Sequence, residues 1–546
     1  MIRLALAQIN PLVGDIPGNV RLIGDYMARA ARMGADVVAF PELALCGYPP
    51  EDLLVKKSFI KNCAEALASL AAITPKDLTV IVGAPTGKPG ALYNSACALS
   101  GGEWIATIHK TELPNYGVFD ERRYFLPGKN GPLVKRGSVA IGVSVCEDIW
   151  VENDILINQA RDGADLLINI SGSPYRHNAF NLRRDLVRGA SRSLGMPMAY
   201  CNQTGGQDEL VFDGRSFICG SDGEITAEAM AFAEDLLVVD VGPVAPGEAA
   251  KPPLPPVERH IIRDEDEEIY TALATGLRDY VNKNGFKTVV VALSGGIDSA
   301  LTATIAVDAL GPGRVKGVSL PSPHSSKGSV DDAAHLAANL GIEMLSLPIG
   351  ELMKSFDGVL AEAFTGREPD ITEENIQARI RGGIMMALSN KFGWLVLTTG
   401  NKSETAVGYC TLYGDTAGGL AVIKDVFKTR VYSLSLWRNR KAGRELIPRE
   451  SIEKEPSAEL RPGQKDTDSL PPYDVLDPIL REYIEHDKPI DEIIKLGYSK
   501  TLVSRVARMV DLNEYKRRQS PMGIKITAKA FGRDRRLPIT CRFHEQ

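Results

Sequence analysis

A glycine-rich turn follows an apolar run near the middle of the chain, in "VVVALSGGIDSALTATIAV" at residues 289–307. Ser294, Gly295 and Gly296 would offer backbone N–H groups to an anion at the start of the next helix, where the helix dipole favours negative charge. The stretch contains neither G-x-x-x-x-G-K-[ST] nor G-x-G-x-x-G. Any tight strand-to-helix turn favours Gly and Ser, but the full S-G-G-x-D-S pattern after an apolar strand predicts a phosphate-binding turn.

Three reactive side chains come at the ends of apolar runs in the first half of the chain. Glu42 comes just after "ADVVAF", Lys110 after "EWIATIH" and Cys146 after "VAIGVSV". Strand ends are where open α/β folds gather their sites. For amide hydrolysis Cys146 would attack as a thiolate, Glu42 would take and return the proton, and Lys110 would stabilise the oxyanion and lower the thiol pKa. Each residue alone favours a core thiol or a surface charge, whereas the three together predict a hydrolytic site.

The order of predicted strands and helices differs between the two halves of the chain that carry these residues. Up to about residue 240, runs such as "LTVIVGAP" and "ADLLINIS", with a "SGGE" hairpin turn, predict a mixed α/β domain with antiparallel strands. After residue 260, "TVVVALSG", "RVKGVSLP" and "GWLVLTTG" alternate with helical stretches, which predicts a doubly wound parallel sheet. Prolines between them predict a linker over 243–260, with domains over 1–242 and 261–546. The charged, Pro-rich stretch from about residue 434 predicts a mobile segment between short helices.

Composition narrows the class of protein. The 546 residues carry 63 Lys and Arg against 69 Asp and Glu, a formal net charge of −6, without a long basic stripe, so we expect no nucleic-acid partner. Neither a signal peptide nor a membrane span is predicted, and we expect a cytoplasmic protein. The eight cysteines form no C-x-x-C pair and the seven histidines no H-E-x-x-H, which disfavours a zinc site. We expect the seven cysteines other than Cys146 to be structural.

Several stretches of the chain resemble known families. "SGGIDS" resembles the pyrophosphate loop of N-type ATP pyrophosphatases, and "TEENIQARIRG", "LTTGNKSETAVGYCTLYGDTAGGLAVIKDVFKTRVY" and "NEYKRRQSPMGIKITAKAFGRDRRLPI" resemble NAD synthetases. "FPELALCGY", "HKTELPNYGVFDERRYFLPG" and "VCEDIW" resemble the nitrilase, or carbon–nitrogen hydrolase, superfamily. "LPNYGVFDERRYF" is closer still to the glutaminase domain of glutamine-dependent NAD synthetases. The resemblance implies an α/β protein with a nitrilase-like α-β-β-α sandwich followed by the doubly wound sheet.

This resemblance also implies a reaction and a set of partners. Glutamine would be hydrolysed to glutamate and ammonia, ATP would adenylate the nicotinate carboxylate of deamido-NAD with release of pyrophosphate, and ammonia would displace AMP to give NAD. The implied ligands are glutamine, ATP, deamido-NAD and Mg²⁺, the last because carboxylate adenylation needs an ion that bridges phosphate oxygens. An ammonia channel and a homo-oligomer are implied as well, without nucleic acid or membrane.

The resemblance assigns site residues by ligand. In the glutaminase site, Tyr116 and Ser173 would contact glutamine and Glu121 would support Lys110. The ATP site would comprise Leu293, Ser294, Gly295, Gly296, Ile297, Asp298, Ser299 and Thr399. Deamido-NAD would be bound by Asn375, Arg379, Glu404, Lys428 and Lys516, and Mg²⁺ by Asp298 and Glu404.

The helix containing "ENIQARIRG" can be read from its spacing alone. Asn375 and Arg379 are four residues apart, as are Gln377 and Arg381, so each pair shares a helix face and can offer polar donors to a nucleotide. The alternative for this helix is a solvated Arg/Gln face.

The sequence departs from the family pattern at one position, and it leaves two alternative functions possible. Ala179 stands where the nitrilase-like domains commonly have Lys, and Arg176, His177 or Arg183 would have to compensate. The first alternative function is another glutamine-fed adenylating amidotransferase. The second is a nitrilase-like amidase whose C-terminal half is a regulatory nucleotide-binding domain.

Overall fold

The structure is a computed structural model that describes residues 1–151, 154–242, 251–543 and 545. It divides into two compact units, Met1–Ile262 and Arg263–Gln546, called unit 1 and unit 2 below. Residues 243–250 of the predicted linker lie outside the described residues, and residues 251–260 contain neither helix nor strand. The domain boundaries at 242 and 261 stay a prediction.

Unit 1 is built mainly from β-strands. The strands are β1 (Ile2–Gln8), β2 (Val37–Ala39), β3 (Thr79–Lys88), β4 (Ala91–Ser100), β5 (Glu103–His109), β6 (Val134–Arg136), β7 (Val139–Val145), β8 (Leu166–Ser171), β9 (Met198–Asn202), β10 (Thr204–Gln207), β11 (Leu210–Asp213), β12 (Phe217–Cys219), β13 (Ile225–Glu228) and β14 (Asp235–Val241). The helices are α1 (Ile16–Arg32), α2 (Lys57–Ile73), α3 (Ile155–Arg161) and α4 (Ala179–Leu194), with 3₁₀ turns at Glu51–Val55, Glu121–Arg123 and Cys146–Ile149.

The strands form two main sheets that pack face to face. The first has the order β14-β1-β2-β3-β4-β5 and the second the order β13-β12-β9-β8-β7-β6. Alternate side chains point to opposite faces of a strand, so Leu4 and Leu6 of β1 face the second sheet, where Val143 and Ile168 meet them. The other face of the first sheet is covered by α1 and α2, and that of the second by α4. The predicted α-β-β-α sandwich is confirmed.

Unit 2 contains one parallel sheet surrounded by helices. Its strands are β15 (Val289–Ala292), β16 (Val315–Ser319), β17 (Glu343–Ser346), β18 (Leu395–Thr398) and β19 (Leu420–Ala421). Its helices are α5 (Glu265–Lys283), α6 (Ile297–Leu310), α7 (Lys327–Leu340), α8 (Gly350–Leu360), α9 (Ile371–Phe392), α10 (Lys402–Val407), α11 (Lys428–Ala442), α12 (Arg449–Glu453), α13 (Tyr473–Leu480), α14 (Ile490–Ile494), α15 (Lys500–Leu512) and α16 (Glu514–Gln519), with single turns at Pro312–Arg314, Asp466–Asp468 and Arg481–Glu485.

The strand order explains where a ligand can bind. The sheet runs β17-β16-β15-β18-β19, so the connection reverses direction between β15 and β18. In such sheets a crevice opens outside the carboxyl ends of the strands at this switch point. Val290, Val318 and Val396 pack with residues of α9 on one face, and α6 packs against β15 and β16. The predicted doubly wound sheet is confirmed.

The segment after residue 434 contains short helices, as predicted, and they pack around a core that the sequence analysis did not anticipate. It forms packed helices in which Leu480, Val503 and Val506 are fully buried together with Phe427. The charge of these helices lies on one face and their apolar side chains on the other, so the high overall charge did not reveal a core. Among the helices of the described ranges, none has the length and apolar character needed to cross a bilayer.

Candidate active sites

Cys146 lies at a strained turn at the end of β7. Val145 ends the strand, and Cys146 begins the 3₁₀ turn with a φ of +42°, a backbone conformation that non-glycine residues rarely adopt. Only 2% of the residue is exposed. Such strain persists where the surrounding structure holds it, and it is often found at functional sites.

Lys110 is fully buried between two carboxylates. Its Nζ lies 2.7 Å from Oε1 of Glu42 and 2.8 Å from Oε1 of Glu121. Neither Lys110 nor Glu42 has any exposed surface. A buried ammonium needs such pairing because its desolvation is costly. The structure therefore brings together two of the three predicted catalytic residues with the supporting Glu121.

Glu42 is held by groups that the sequence did not point to. Asn94 Nδ2 donates to Oε1 at 2.7 Å, and the backbone N–H of Gly172 donates to Oε2 at 2.8 Å. A Cβ atom at Gly172 would lie 3.0 Å from the ring of Tyr48, so glycine permits this close approach. These partners come from distant parts of the chain. Both oxygens of Glu42 are thereby fixed in direction.

The electrostatics differ from the expectation for the thiol. Burial raises the pKa of the Cys146 thiol well above its ordinary value, Glu42 raises it further, and the opposing effect of Lys110 is too small. Burial also lowers the pKa of Lys110, but Glu121 and Glu42 outweigh it and hold that pKa well above its usual range. Burial raises the pKa of Glu121 to about 7. The raised pKa favours the thiol form of Cys146, so the predicted thiolate would require proton transfer during attack.

The predicted glutamine contacts lie around this centre. Tyr116 is half exposed, and its hydroxyl donates to Glu147 at 2.9 and 3.1 Å. The Ser173 N–H donates to Oδ1 of Asn202 at 3.0 Å. Glu147, which directly follows Cys146, is a residue that our sequence analysis missed although it lies within "VCEDIW".

Ala179 is buried at the start of α4. Arg183, one of the residues considered as a substitute for the missing Lys, is also buried, and its Nη2 contacts both carboxylate oxygens of Asp213 at 2.7 and 2.5 Å. This pairing ties Arg183 in place. Arg176 and His177, which are half-buried, are the other two candidates.

In unit 2 the predicted phosphate-binding turn joins β15 to α6. Gly295 has a φ of +79°, and a Cβ atom there would lie 2.2 Å from the carbonyl oxygen of Ser329. Only glycine therefore fits. Ser294 is exposed, and its Oγ accepts from the Gly296 N–H at 3.2 Å, while its own N–H donates to Ser299 Oγ at 3.3 Å. The turn borders a cavity of about 440 Å³ at the switch point of the sheet.

Two carboxylates and one ammonium meet in this cavity. Lys428 Nζ donates to Oδ2 of Asp298 and, at 3.4 Å, to Oε1 of Glu404. Asn401 Nδ2 donates to the other Asp298 oxygen at 2.9 Å, and its Oδ1 caps α10 by accepting from the Glu404 N–H at 3.0 Å. Burial raises the pKa of Glu404 to about 8, although Lys428 opposes this.

The chemistry of these donors fits the predicted Mg²⁺. Asp298 and Glu404 both contact one Nζ atom, so their oxygens lie close to each other and face the cavity. Mg²⁺ characteristically takes one or two carboxylates and completes its shell with substrate phosphates and water. No cluster of three or more His, Cys, Asp or Glu suited to a metal occurs in the described ranges.

Most of the other predicted residues line the same cavity. The predicted residues among its walls are Leu293, Ser294, Gly296, Ile297, Asp298, Ser299, Asn375, Thr399, Glu404, Lys428 and Lys516. Lys516 Nζ donates to the carbonyls of Gly408 and Cys410, at 2.7 and 2.9 Å. Asn375 Oδ1 accepts from the hydroxyl of Thr411 at 2.7 Å.

Arg379 is not brought to this cavity. It is exposed and donates to the Leu412 carbonyl at 3.3 Å. The cavity face of α9 is centred near Ala378, and Arg381 lies on it. Asp466 also lines the cavity, accepting from the Tyr473 hydroxyl at 2.8 Å, and our sequence analysis missed it.

Lys402, the first residue of α10, ties this helix to its neighbours through buried ion pairs and hydrogen bonds. It is fully buried, and its Nζ lies 2.8 Å from Asp425, 2.6 Å from Glu485 and 2.7 Å from the Thr527 hydroxyl. Asp425 in turn accepts from the N–H groups of Ile526 and Thr527, at 2.8 and 2.7 Å. The stretch around residue 527 thus supports the helix that carries Glu404.

Comparison with known proteins matches each half of the chain to a family. Residues 3–250 match the carbon-nitrogen hydrolase family and residues 269–520 match the NAD synthase family. The chain is 47% identical to a glutamine-dependent NAD(+) synthetase from Thermotoga maritima, over 100% of this chain and 99% of that protein. The chain belongs to the glutamine-dependent NAD(+) synthetase family. A member from Aquifex aeolicus is 44% identical over the whole of both chains.

Solved structures of glutamine-dependent NAD(+) synthetases have the same architecture. The one from Acinetobacter baumannii, in complex with ADP, has a TM-score of 0.79 and 40% identity and covers 98% of each chain. The one from Cytophaga hutchinsonii, at 24% identity, has a TM-score of 0.85, covers 99% of this chain and 98% of its own, and supports the fold. Membership of the glutamine-dependent NAD(+) synthetase family confirms the predicted enzyme class and decides against both alternative functions.

Proposed function

We propose that unit 1 hydrolyses glutamine at Cys146 and that unit 2 uses the released ammonia to convert deamido-NAD to NAD at the expense of ATP. The observation that supports this assignment is the fully buried Lys110 ammonium held by Glu42 and Glu121, together with the buried Cys146 at the strained end of β7. This arrangement supplies a nucleophile, a base and an oxyanion partner in one place.

Hydrolysis would proceed through a thioester. As the Cys146 thiol attacks the side-chain amide carbon, its proton passes to Glu42, because the raised pKa keeps the thiol protonated until then. Lys110 stabilises the oxyanion. Glu42 returns the proton to the amide nitrogen, which leaves as ammonia. A water molecule, deprotonated by Glu42, then attacks the thioester and releases glutamate with the free thiol.

Synthesis would take place in the unit 2 cavity. The N–H groups of the 294–299 turn bind the β and γ phosphates of ATP, and Lys428 contacts phosphate oxygens. The nicotinate carboxylate attacks the α-phosphorus, pyrophosphate leaves, and ammonia attacks the carbonyl carbon of the acyl-adenylate, expelling AMP and losing a proton. Mg²⁺ held by Asp298 and Glu404 would neutralise the charge that develops on the pyrophosphate.

The remaining ligand assignments in unit 2 are proposed for residues that line the cavity. Leu293, Ile297, Ser299 and Thr399 would contact ATP, and Asn375, Glu404, Lys428 and Lys516 deamido-NAD. Arg379 is proposed to contact a part of deamido-NAD outside this cavity. In unit 1, Tyr116 and Ser173 would contact glutamine. An ammonia channel, a homo-oligomeric assembly and a cytoplasmic location are proposed on the family resemblance.

The test is NAD formation from deamido-NAD, ATP and Mg²⁺, with glutamine in one series and an ammonium salt in another. The expected result is product in both, and no product in either after chelation of divalent ions. Product with ammonium alone would contradict the role of unit 1. Cleavage of ATP without NAD would contradict the assignment of deamido-NAD.

A further inference from the structure

The Asp148 side chain joins two separate stretches of backbone in unit 1. Its Oδ1 accepts from the N–H groups of Thr111 and Glu112, each at 2.9 Å. Its Oδ2 accepts from the N–H of Val145 at 3.0 Å. The residue is 2% exposed. One carboxylate therefore binds three backbone donors from two segments that are more than thirty residues apart in the chain.

These two segments carry the nucleophile and the ammonium. Thr111 directly follows Lys110, and Val145 directly precedes Cys146. β5 leads to Lys110 in the first sheet and β7 leads to Cys146 in the second, so no strand-pairing ladder fixes their separation. We propose that Asp148 is a positioning residue for glutamine hydrolysis, which sets the distance between the Lys110 ammonium and the Cys146 sulfur.

The geometry of the reaction makes that distance important. In the tetrahedral intermediate one carbon is bonded to Cys146 Sγ while its oxyanion faces Lys110. The sulfur and the ammonium must therefore both lie in contact with the same former carbonyl group. A displacement of about 1 Å can cost on the order of 10²-fold in rate. Cys146 also has a strained backbone, which requires support from its neighbours. Because both contacts tighten only when the intermediate forms, they affect kcat more than KM.

The test is Asp148→Asn in the full chain. An amide of the same shape offers one acceptor oxygen and one NH₂ group, so it cannot accept hydrogen bonds from both segments. The expected result is a fall in kcat for glutamine hydrolysis on the order of 10²-fold, with KM for glutamine little changed. Covalent labelling by 6-diazo-5-oxo-L-norleucine, followed by intact mass, counts the folded sites, and kcat is expressed per labelled site.

Asp165→Asn is the matched control. Asp165 Oδ2 accepts from the Ala140 N–H at 2.8 Å, near the opposite end of β7, and Asp165 is exposed. This variant makes the same carboxylate-to-amide change at a residue that also accepts a hydrogen bond from a backbone N–H of β7, but near the end of the strand opposite Cys146. We expect the wild-type kcat for it. Ammonium-driven NAD formation in unit 2 is expected to be unchanged in both variants.

The inference rests on the proposed roles of Lys110 and Cys146. The Cys146→Ala variant distinguishes failure of the proposed function from failure of the inference. If Cys146→Ala still uses glutamine, the proposed function fails. If Cys146→Ala is inactive but Asp148→Asn keeps kcat per labelled site within about twofold of wild type, only the inference fails. Backbone amide hydrogen exchange of Asp148→Asn adds a second readout. Faster exchange at Thr111, Glu112 and Val145 alone supports the positioning role. Faster exchange throughout β5 and β7, with incomplete labelling, overturns it.

Discussion

Asn401 Nδ2 donates to Oδ1 of Asp298 at 2.9 Å, so the residue that caps α10 also holds the carboxylate of the phosphate-binding turn. The same side chain accepts from the Glu404 N–H. One amide therefore holds both the carboxylate of Asp298, at the start of α6, and the backbone N–H of Glu404, at the start of α10. This link between the two strands at the switch point is the basis of the first prediction.

Asn401→Ala should impair synthesis much more than folding. Loss of an N-cap costs about 1 kcal/mol of stability, whereas release of Asp298 should lower ammonium-driven NAD formation on the order of 10²-fold. Ser499→Ala is the control, because Ser499 Oγ caps α15 by accepting from the Leu502 N–H and is exposed. It should lose similar stability and keep its activity. Steady-state kinetics and thermal unfolding distinguish the two, and equal activities would contradict the link.

The two sites should be separable by single substitutions. Cys146→Ala should abolish NAD formation from glutamine and leave NAD formation from ammonium intact, because unit 2 receives its nitrogen directly. Asp298→Ala should remove both, since the carboxylate lies in the cavity where ATP is proposed to bind. Product analysis with each nitrogen donor provides the measurement. Residual glutamine use by Cys146→Ala would assign the nucleophile elsewhere.

The raised pKa of the Cys146 thiol predicts how its alkylation depends on pH. Only the thiolate reacts, and below the pKa the thiolate fraction grows about tenfold per pH unit. The pKa lies well above its ordinary value, so the rate of reaction with iodoacetamide should still be rising at pH 9. Subtraction of the rate for Cys146→Ala removes the other thiols. A plateau near neutral pH would instead indicate a thiolate stabilised by Lys110.

Two glycines on either side of α6 provide a test of the phosphate-binding turn. Gly295→Ala combines a φ of +79° with a Cβ placed 2.2 Å from the Ser329 carbonyl oxygen, so the turn must shift. Gly311→Ala introduces a similar strain at φ +82° with nothing within 4 Å. Each strained residue costs about 1 to 3 kcal/mol, but only Gly295→Ala should raise KM for ATP and lower synthesis. Equal KM values would argue against this turn as the phosphate site.

The candidate catalytic residues could be found from the sequence because they follow predicted strands. The residues that bind and orient their side chains could not. Glu42, Lys110 and Cys146 follow apolar runs, a pattern visible without any structure. Asn94 of β4 and Gly172, directly after β8, fix Glu42, and no local sequence pattern reveals that these segments meet it.

In unit 2, Asn401 was within reach of sequence reasoning, because an Asn three residues before Glu404 is typical of a helix N-cap. Arg379 shows the opposite limit. Its spacing of four from Asn375 suggested a common face, but the cavity faces Ala378, and one residue further along a helix turns a side chain about 100° away. Periodicity gives the face of a helix only after its neighbours are known.

The anchoring of Lys402 has a consequence for synthesis of the protein on the ribosome. Asp425 and Lys402 obtain partners from Ile526 and Thr527, more than a hundred residues later in translation. Until that stretch emerges, the buried ammonium behind α10 lacks the Thr527 hydroxyl, and Asp425 lacks its two backbone donors. The sheet of unit 2 is complete in sequence by residue 421. A nascent chain therefore acquires the framework of the unit 2 cavity well before it acquires the support of Glu404, so we expect the proposed adenylating activity to appear only late in synthesis of the chain.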